Sequence, residues 1–368
     1  MIPLYQPHVP AGVAAAVQDV LASKQIAGDG RLPGFEDRLR EFVHWPHVSA
    51  TAEFSRTVEM VLRLAGVGAG DAVLVSPVAC LATTMPILQV GARPVWCDLH
   101  LDTGGIAPDE IARRHSSRTK AALLYHWVGI PGDIRGVQQA AAALGLPVIE
   151  DANEALGAEY DGRPIGAHGS EFCVFSFSPV RLITTGEGAA VASRDEELDR
   201  RVRLARRYGI PEQGFRDALG EIAPDCDIST GGTHNYMNRI AGAIGALQMN
   251  DVADLVARQR SNGAFYDEQL ASIPGITRLL SASDRVPSYW VYCFRCERRN
   301  DLRRALRDAG IYASTVHMRT DRYTCFGAGP ADLPGVEEFE RTQLCIPSGW
   351  WVSNEDREYV VDAIRRGW

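Results

Sequence analysis

Apolar and polar positions follow two rhythms along this chain. Val13 to Leu21, Phe35 to Phe42 and Ser55 to Leu64 set apolar residues three and four apart, the spacing of a helix with one buried face. Gly and Pro separate the first two, and Gly66, Gly68 and Gly70 close the third. Short apolar runs lie between and after them: Ala72-Val-Leu-Val-Ser, Pro94-Val-Trp-Cys-Asp, Ala121-Ala-Leu-Leu-Tyr-His, Pro147-Val-Ile-Glu-Asp and Phe172-Cys-Val-Phe-Ser. Runs without polar alternation suit strands covered on both faces. Thr83 to Val90 reads as helix, as does an Ala-rich stretch before Pro147. This alternation predicts an α/β fold, a mostly parallel sheet sandwiched by helices. From about Ala241 the rhythm changes. A long helix is expected from Ile244 to about Leu270, then a strand from Ser288 to Cys296, a helix from Asp301 to Ala309 and a last helix from Asn354 to Arg366. We expect a large domain over residues 1–245, including an N-terminal segment, and a smaller C-terminal α+β domain over 246–368. A chain of 368 residues suits two such lobes.

Charge and composition narrow the function more than the fold. The net charge is −8 and no basic run occurs, which argues against a nucleic-acid partner. No stretch approaches the roughly 20 apolar residues of a membrane helix. Met1-Ile-Pro-Leu-Tyr-Gln-Pro lacks the basic start and apolar core of a signal peptide, so the expected location is cytoplasmic. The eight cysteines are scattered, as free thiols would be in a reducing compartment. Cys293 and Cys296 form one Cys-x-x-Cys inside a predicted strand, where residues three apart face opposite ways, so no metal site is expected. Only two of the 38 basic side chains are lysines, Lys24 and Lys120.

Ligands of parallel sheets sit beyond the carboxyl ends of the strands. Asp151 ends one such run, where a carboxylate can pair with a protonated ring nitrogen or cap the following segment. Ser176 ends another, where a hydroxyl can hold a phosphate oxygen, and the turn Thr184-Thr-Gly-Glu-Gly follows it. Taken singly, each has an ordinary structural reading.

Together these residues resemble the DegT/StrS-type sugar aminotransferases, a branch of the fold type I pyridoxal phosphate enzymes. The likeness runs through Ile2-Pro-Leu-Tyr, Gly66-Val-Gly-Ala-Gly-Asp, Gly91-Ala-Arg-Pro-Val-Trp-Cys-Asp, His126-Trp-Val-Gly-Ile-Pro, Val148-Ile-Glu-Asp-Ala-Asn-Glu-Ala-Leu-Gly-Ala and Pro347-Ser-Gly-Trp-Trp. It implies that Asp151 meets the cofactor ring nitrogen and Ser176 its phosphate. It also implies a homodimer with sites at the interface and a small-molecule substrate such as a nucleotide sugar.

The departures cluster at the implied cofactor. Arg181 stands five residues after Ser176, where the family carries its Schiff-base lysine. A guanidinium is effectively always protonated and cannot serve as the neutral amine. Glu154 replaces a Gln or His. Phe54 and Ser55 replace the small residue and threonine that open the phosphate-cupping helix, and Cys80 replaces the stacking aromatic. In Thr233-His-Asn-Tyr-Met-Asn, either His234 or Asn235 takes the place of the asparagine that reaches the neighbouring subunit's phosphate.

Three readings follow. One is an enzyme binding pyridoxamine phosphate (PMP) or pyridoxal phosphate (PLP) without a covalent link, with Arg181 as an electrostatic clamp and Glu154 or His234 carrying protons. Another is a cofactor-independent enzyme, with Arg56 and Arg181 holding an acidic substrate, or an inactive partner or regulatory subunit. The third is an engineered lysine replacement, against which Phe54 and Tyr236 argue. His317 lies in the stretch that faces substrate in the family or is a structural histidine. Arg319 and Arg322 can meet a diphosphate or simply be exposed. Trp350 and Trp351 are expected to pack between lobes.

Overall fold

Seven strands build the main sheet: β1 (Val48–Thr51), β2 (Ala72–Val75), β3 (Arg93–Trp96), β4 (Thr119–Tyr125), β5 (Val148–Asp151), β6 (Phe172–Ser176) and β7 (Ala189–Ser193). This is a computed structural model, and it describes residues 1–27, 34–279, 282–327 and 329–368. Part of the Gly- and Pro-containing stretch between the first two helices therefore lies outside the described residues. The strand order is β1-β7-β6-β5-β4-β2-β3. All neighbours are parallel except β7, which runs antiparallel to both β1 and β6. Successive side chains along a strand take opposite faces. Leu123, Ile149 and Val174 thus enter one buried cluster, while Leu124, Val148 and Phe175 enter the cluster on the other side.

The smaller sheet has three antiparallel strands, β8 (Ile276–Arg278), β9 (Tyr292–Cys296) and β10 (Gln343–Ile346). Leu302 and Leu306 of the helix Arg299–Asp308 and Val360, Val361 and Ile364 of the helix Asn354–Arg365 cover it. Cys293 and Cys296 fall into different buried clusters, as the strand period requires.

Two predicted elements differ. The long helix is broken into Arg239–Gln248 and Val252–Gln269. Asn250 and Asp251 stand at the break; such side chains compete with the helix for hydrogen bonds, and the Asp251 carboxylate takes the His8 ring at 2.7 Å. The 245/246 division falls within the first of these helices. Val252, Leu255 and Val256 at the start of the second join the large-sheet core, while Tyr266 and Leu270 near its end join the small-sheet core. The predicted strand from Ser288 starts only at Tyr292. The residues before it reach across to the large domain instead: Ser288 N donates to Gly129 O (3.0 Å), and Trp290 Nε1 donates to Val180 O (2.7 Å). Among the described residues no helix is long and apolar enough to cross a membrane, and no cluster of His, Cys, Asp or Glu is arranged to hold a metal ion.

Candidate active site

The carboxyl ends of β4, β5 and β6 bring Tyr125, Asp151 and Ser176 side by side, because register pairs Tyr125 with Asp151 and Asp151 with Val174. Asp151 is buried. Its carboxylate accepts the Thr83 hydroxyl (2.5 Å) and the Asn153 N–H (2.9 Å). Burial, only partly offset by these bonds, lifts its pKa to about 6. Thr83 comes from the helix Leu81–Gln89, whose N-cap is Cys80. Burial is also the main reason the Cys80 thiol is pushed up.

Three residues beyond Asp151 stands Glu154, the most heavily engaged carboxylate of the rim. Its side chain is fully buried. Oε1 receives Arg181 Nη1 at 3.3 Å and His317 Nε2 at 3.1 Å, and Oε2 receives the backbone N–H of Val128 at 2.9 Å. Burial opposes its charge, but the His317 hydrogen bond and charge, with Arg181's charge, outweigh burial and hold the carboxyl below its ordinary range. Arg181 also lies over Trp290, 4.5 Å from the ring centroid, and Trp290 in turn stacks on Tyr5 at 4.8 Å. The buried Arg181 Nε makes no hydrogen bond. Tyr125 is fully buried beside this cluster. Burial, then the charges of Glu154 and Asp151, push its phenol well above the usual range.

Three of the seven non-glycine residues with positive φ among the described residues flank this centre. Val128 (φ 48°), Tyr289 (φ 53°) and Val316 (φ 58°) occupy the left-handed region. For a β-branched residue that costs on the order of 1–2 kcal/mol. Val128 presents its N–H to Glu154, and Val316 precedes His317, so both sides of the Glu154 contact are held by strained valines.

The second centre is the start of the helix Phe54–Leu64. Phe54 is buried in the sheet's second core cluster. Glu53 caps this helix; its carboxylate accepts Ser55 N (2.8 Å) and Arg56 N (2.7 Å). Asn235 is fully buried behind it. Its Oδ1 accepts Glu53 N at 3.2 Å and its Nδ2 donates to Thr57 Oγ1 at 3.0 Å, so the side chain is spent inside its own subunit. His234 is exposed between Tyr208 and Tyr236. It shares no hydrogen bond or ion pair with Asp151, Glu154 or Arg181 among the described residues, and the histidine that contacts Glu154 within this chain is His317.

The remaining candidates are also placed. Ser176 is buried, with its hydroxyl 3.4 Å from Ser178 N. Arg319 is buried and forks onto Asp321 at 2.7 and 2.6 Å, which commits its Nε and Nη2. Arg322 is half-exposed, 3.7 Å from Glu340. Trp351 donates to Pro3 O (3.0 Å), and Trp350 packs against the large-sheet core. Sequence reading missed Glu53, Tyr125, Val128 and Trp290. An acidic residue just before a predicted helix marks a cap; no sequence signal marks a strained valine.

A parallel sheet with one antiparallel strand, and a buried aspartate at its carboxyl rim, is the frame of fold type I enzymes. The DegT/DnrJ/EryC1/StrS aminotransferase family model matches residues 10–365, and the chain belongs to that family. It is 30% identical over 357 residues to a dTDP-3-amino-3,4,6-trideoxy-alpha-D-glucose transaminase of Streptomyces venezuelae, covering 95% of this chain and 90% of that protein. Among solved structures it is similar to the sugar aminotransferase CalS13 of Micromonospora echinospora (TM-score 0.94, 33% identity, 100% of both chains). It is also similar to AtS13 of Actinomadura melliaura (TM-score 0.93, 32% identity, 100% of this chain and 99% of that one).

Proposed function

We propose that the chain is a biosynthetic enzyme of this family that binds PMP or PLP without a covalent link, and that it acts on a small sugar substrate such as a nucleotide sugar by a route other than lysine-dependent transamination. The observation that carries this reading is the buried Arg181–Glu154 pair at the nucleophile's position. A cationic, ion-paired guanidinium cannot form a Schiff base. The relative from S. venezuelae is named for a dTDP-linked amino sugar, which supports the substrate class.

The residues present fit the cofactor. Asp151 is a buried carboxylate whose ionisation a ring N–H would favour. The Glu53 carboxylate, seated on two helix N–H groups, is a stand-in anion showing that those donors accept one. Asp151 would therefore hold the ring nitrogen, and Ser176 with the N–H groups of Ser55 and Arg56 would hold the phosphate. When bound, such a cofactor supplies an electron sink for charge developing on a neighbouring substrate carbon.

This chain's own groups do the rest. Glu154, an acceptor on both oxygens, fixes His317 with Nε2–H turned toward it, which leaves Nδ1 free to take up or release a proton. Glu154 is a positioning residue rather than a proton carrier. Arg181, with its unpaired Nε, offers positive charge to a developing oxyanion. The exposed His234 is the residue of its stretch free to meet a neighbouring subunit, in keeping with a homodimer.

The test is equilibrium binding of PMP and PLP to the wild-type protein and to Arg181→Lys, with absorbance spectra and borohydride treatment. We expect saturable binding to wild type that dialyses away after borohydride, and a covalent label on Arg181→Lys alone. Wild-type protein that binds neither compound would overturn the cofactor reading. A second reading, a cofactor-independent enzyme or partner subunit, draws on the same Glu53 carboxylate, which already fills the phosphate donors.

A further inference from the structure

Glu53 is an unusual cap. Helix N-caps favour Ser, Thr, Asp and Asn, whose short side chains bend back to one N–H. The longer Glu53 side chain instead sets both oxygens on two successive N–H groups, Ser55 N to Oε1 and Arg56 N to Oε2. A bound phosphate would use the same pair in the same way. The backbone of this residue is pinned, with its N–H on Asn235 Oδ1 (3.2 Å) and its C=O receiving the Thr57 hydroxyl (2.6 Å) and Thr57 N–H (3.1 Å). The carboxylate is held by the Ser55 and Arg56 N–H groups without a counter-charge: it forms no ion pair among the described residues, and Arg56 on its own helix is exposed. On the turn after Arg181, Glu187 lines one cavity with Ala52, the residue before Glu53, and its carboxyl is pushed up first by burial and then by the charge of Glu53. Two acidic side chains therefore lie near the helix start.

We propose that Glu53 is a specificity-determining residue: its carboxylate occupies the phosphate seat as an internal anion and must swing out before a phosphate-bearing ligand can enter. This rests on the cofactor reading above for the identity of the ligand, but not for the exchange itself. Each ligand hydrogen bond gained at Ser55 N and Arg56 N replaces one already made to Glu53, so the phosphate group adds little affinity. Glu187 adds like-charge repulsion to the same approach. The chain then discriminates weakly between PMP and pyridoxamine, which differ only in the phosphate.

The experiment compares full-length wild type with Glu53→Ser, which keeps a good N-cap while removing the charge. PMP and pyridoxamine are titrated by calorimetry, and inorganic phosphate by its effect on thermal unfolding. Glu53→Ser should bind PMP at least about ten-fold tighter than wild type, with pyridoxamine unchanged within about two-fold and a larger stabilisation by phosphate. Glu187→Gln, at an exposed position, should gain about two- to three-fold for PMP and serves if the cap variant fails to fold. Wild type that ignores PMP beside a Glu53→Ser that takes phosphate would support the internal anion and overturn the cofactor reading. Wild type that binds PMP beside a Glu53→Ser that binds it no tighter would overturn the internal anion alone. No response to phosphate or PMP in either protein would overturn both.

Discussion

The centre around Glu154 and the helix start at Glu53 both place a carboxylate at the proposed cofactor site, yet the two are built differently. Glu154 is buried and collects Arg181, His317 and the N–H of Val128. Glu53 is part-exposed and meets two helix N–H groups with no cation. A buried arginine left unpaired would cost several kcal/mol. Arg181 has its partner in Glu154, and strained backbone at Val128 and Val316 supports the pair from both sides. The first is a closed, charge-paired unit, whereas the second is a carboxylate held by backbone N–H groups.

Removing the two carboxylates should separate these descriptions most sharply. Glu154→Ala leaves Arg181 buried without a counter-charge and the Val128 N–H without an acceptor, so unfolding stability should fall by about 3–5 kcal/mol. Glu53→Ser exchanges one cap for another and should cost under about 1 kcal/mol. Urea denaturation of both variants checks this, and equal losses would erase the distinction.

The next largest effect is a pH dependence that belongs to Asp151. Its carboxyl is raised from 3.8 to about 6 in the folded protein. Between those values the unfolded chain gives up a proton that the folded chain keeps. Stability therefore falls as pH rises from about 4 to about 6, by on the order of 3 kcal/mol. Glu154 is depressed and acts in the opposite sense, its contribution being lost as pH falls below the ordinary carboxylate range. Between pH 4.5 and 6 the Asp151 slope thus stands alone of the two. Asp151→Asn should remove that slope, and denaturation curves across the window decide it.

A double-mutant cycle then asks whether the centre acts as one unit. Glu154→Gln and Arg181→Met each strand a partner, but together they leave a neutral pair. The coupling should exceed about 1 kcal/mol, with the double variant more stable than the sum of the single losses predicts. Additive losses would mean that the 3.3 Å contact contributes nothing beyond its packing.

Much of this was legible in the sequence, for physical reasons that also mark its limits. The helix Phe35–Phe42 and the strand Phe172–Ser176 lie where hydrophobic spacing puts them, because packing and local pattern agree. The strand Ala189–Ser193, Ala-Ala-Val-Ala-Ser, was invisible: its small residues prefer helix, and only pairing with β1 and β6 makes it a strand. The site divides the same way. Asp151 and Ser176 end strands and Arg181 follows five residues later on the loop, positions that motif spacing specifies. The bond between His317 and Glu154 joins residues 163 positions apart, and no local pattern encodes it. That Asn235 is buried and His234 exposed is a property of the tertiary fold that the local sequence does not carry.

The smallest effect tests the edge of the site. Arg322 and Arg319 look equivalent in sequence, as candidates for a diphosphate. Arg319 is buried in a fork with Asp321, while Arg322 is half-exposed and only 3.7 Å from Glu340. An exposed pair at that separation is screened by water and salt, so Arg322→Ala should change stability by less than about 0.5 kcal/mol. Because the side chain is nearly free energetically, any loss of binding for a nucleoside diphosphate in that variant reports direct contact rather than a disturbed fold. An Arg319→Ala variant cannot give that answer, since it also strands the Asp321 carboxylate. Titrating a nucleoside diphosphate into wild type and Arg322→Ala, with unfolding curves for both, therefore assigns or removes Arg322 as a substrate contact.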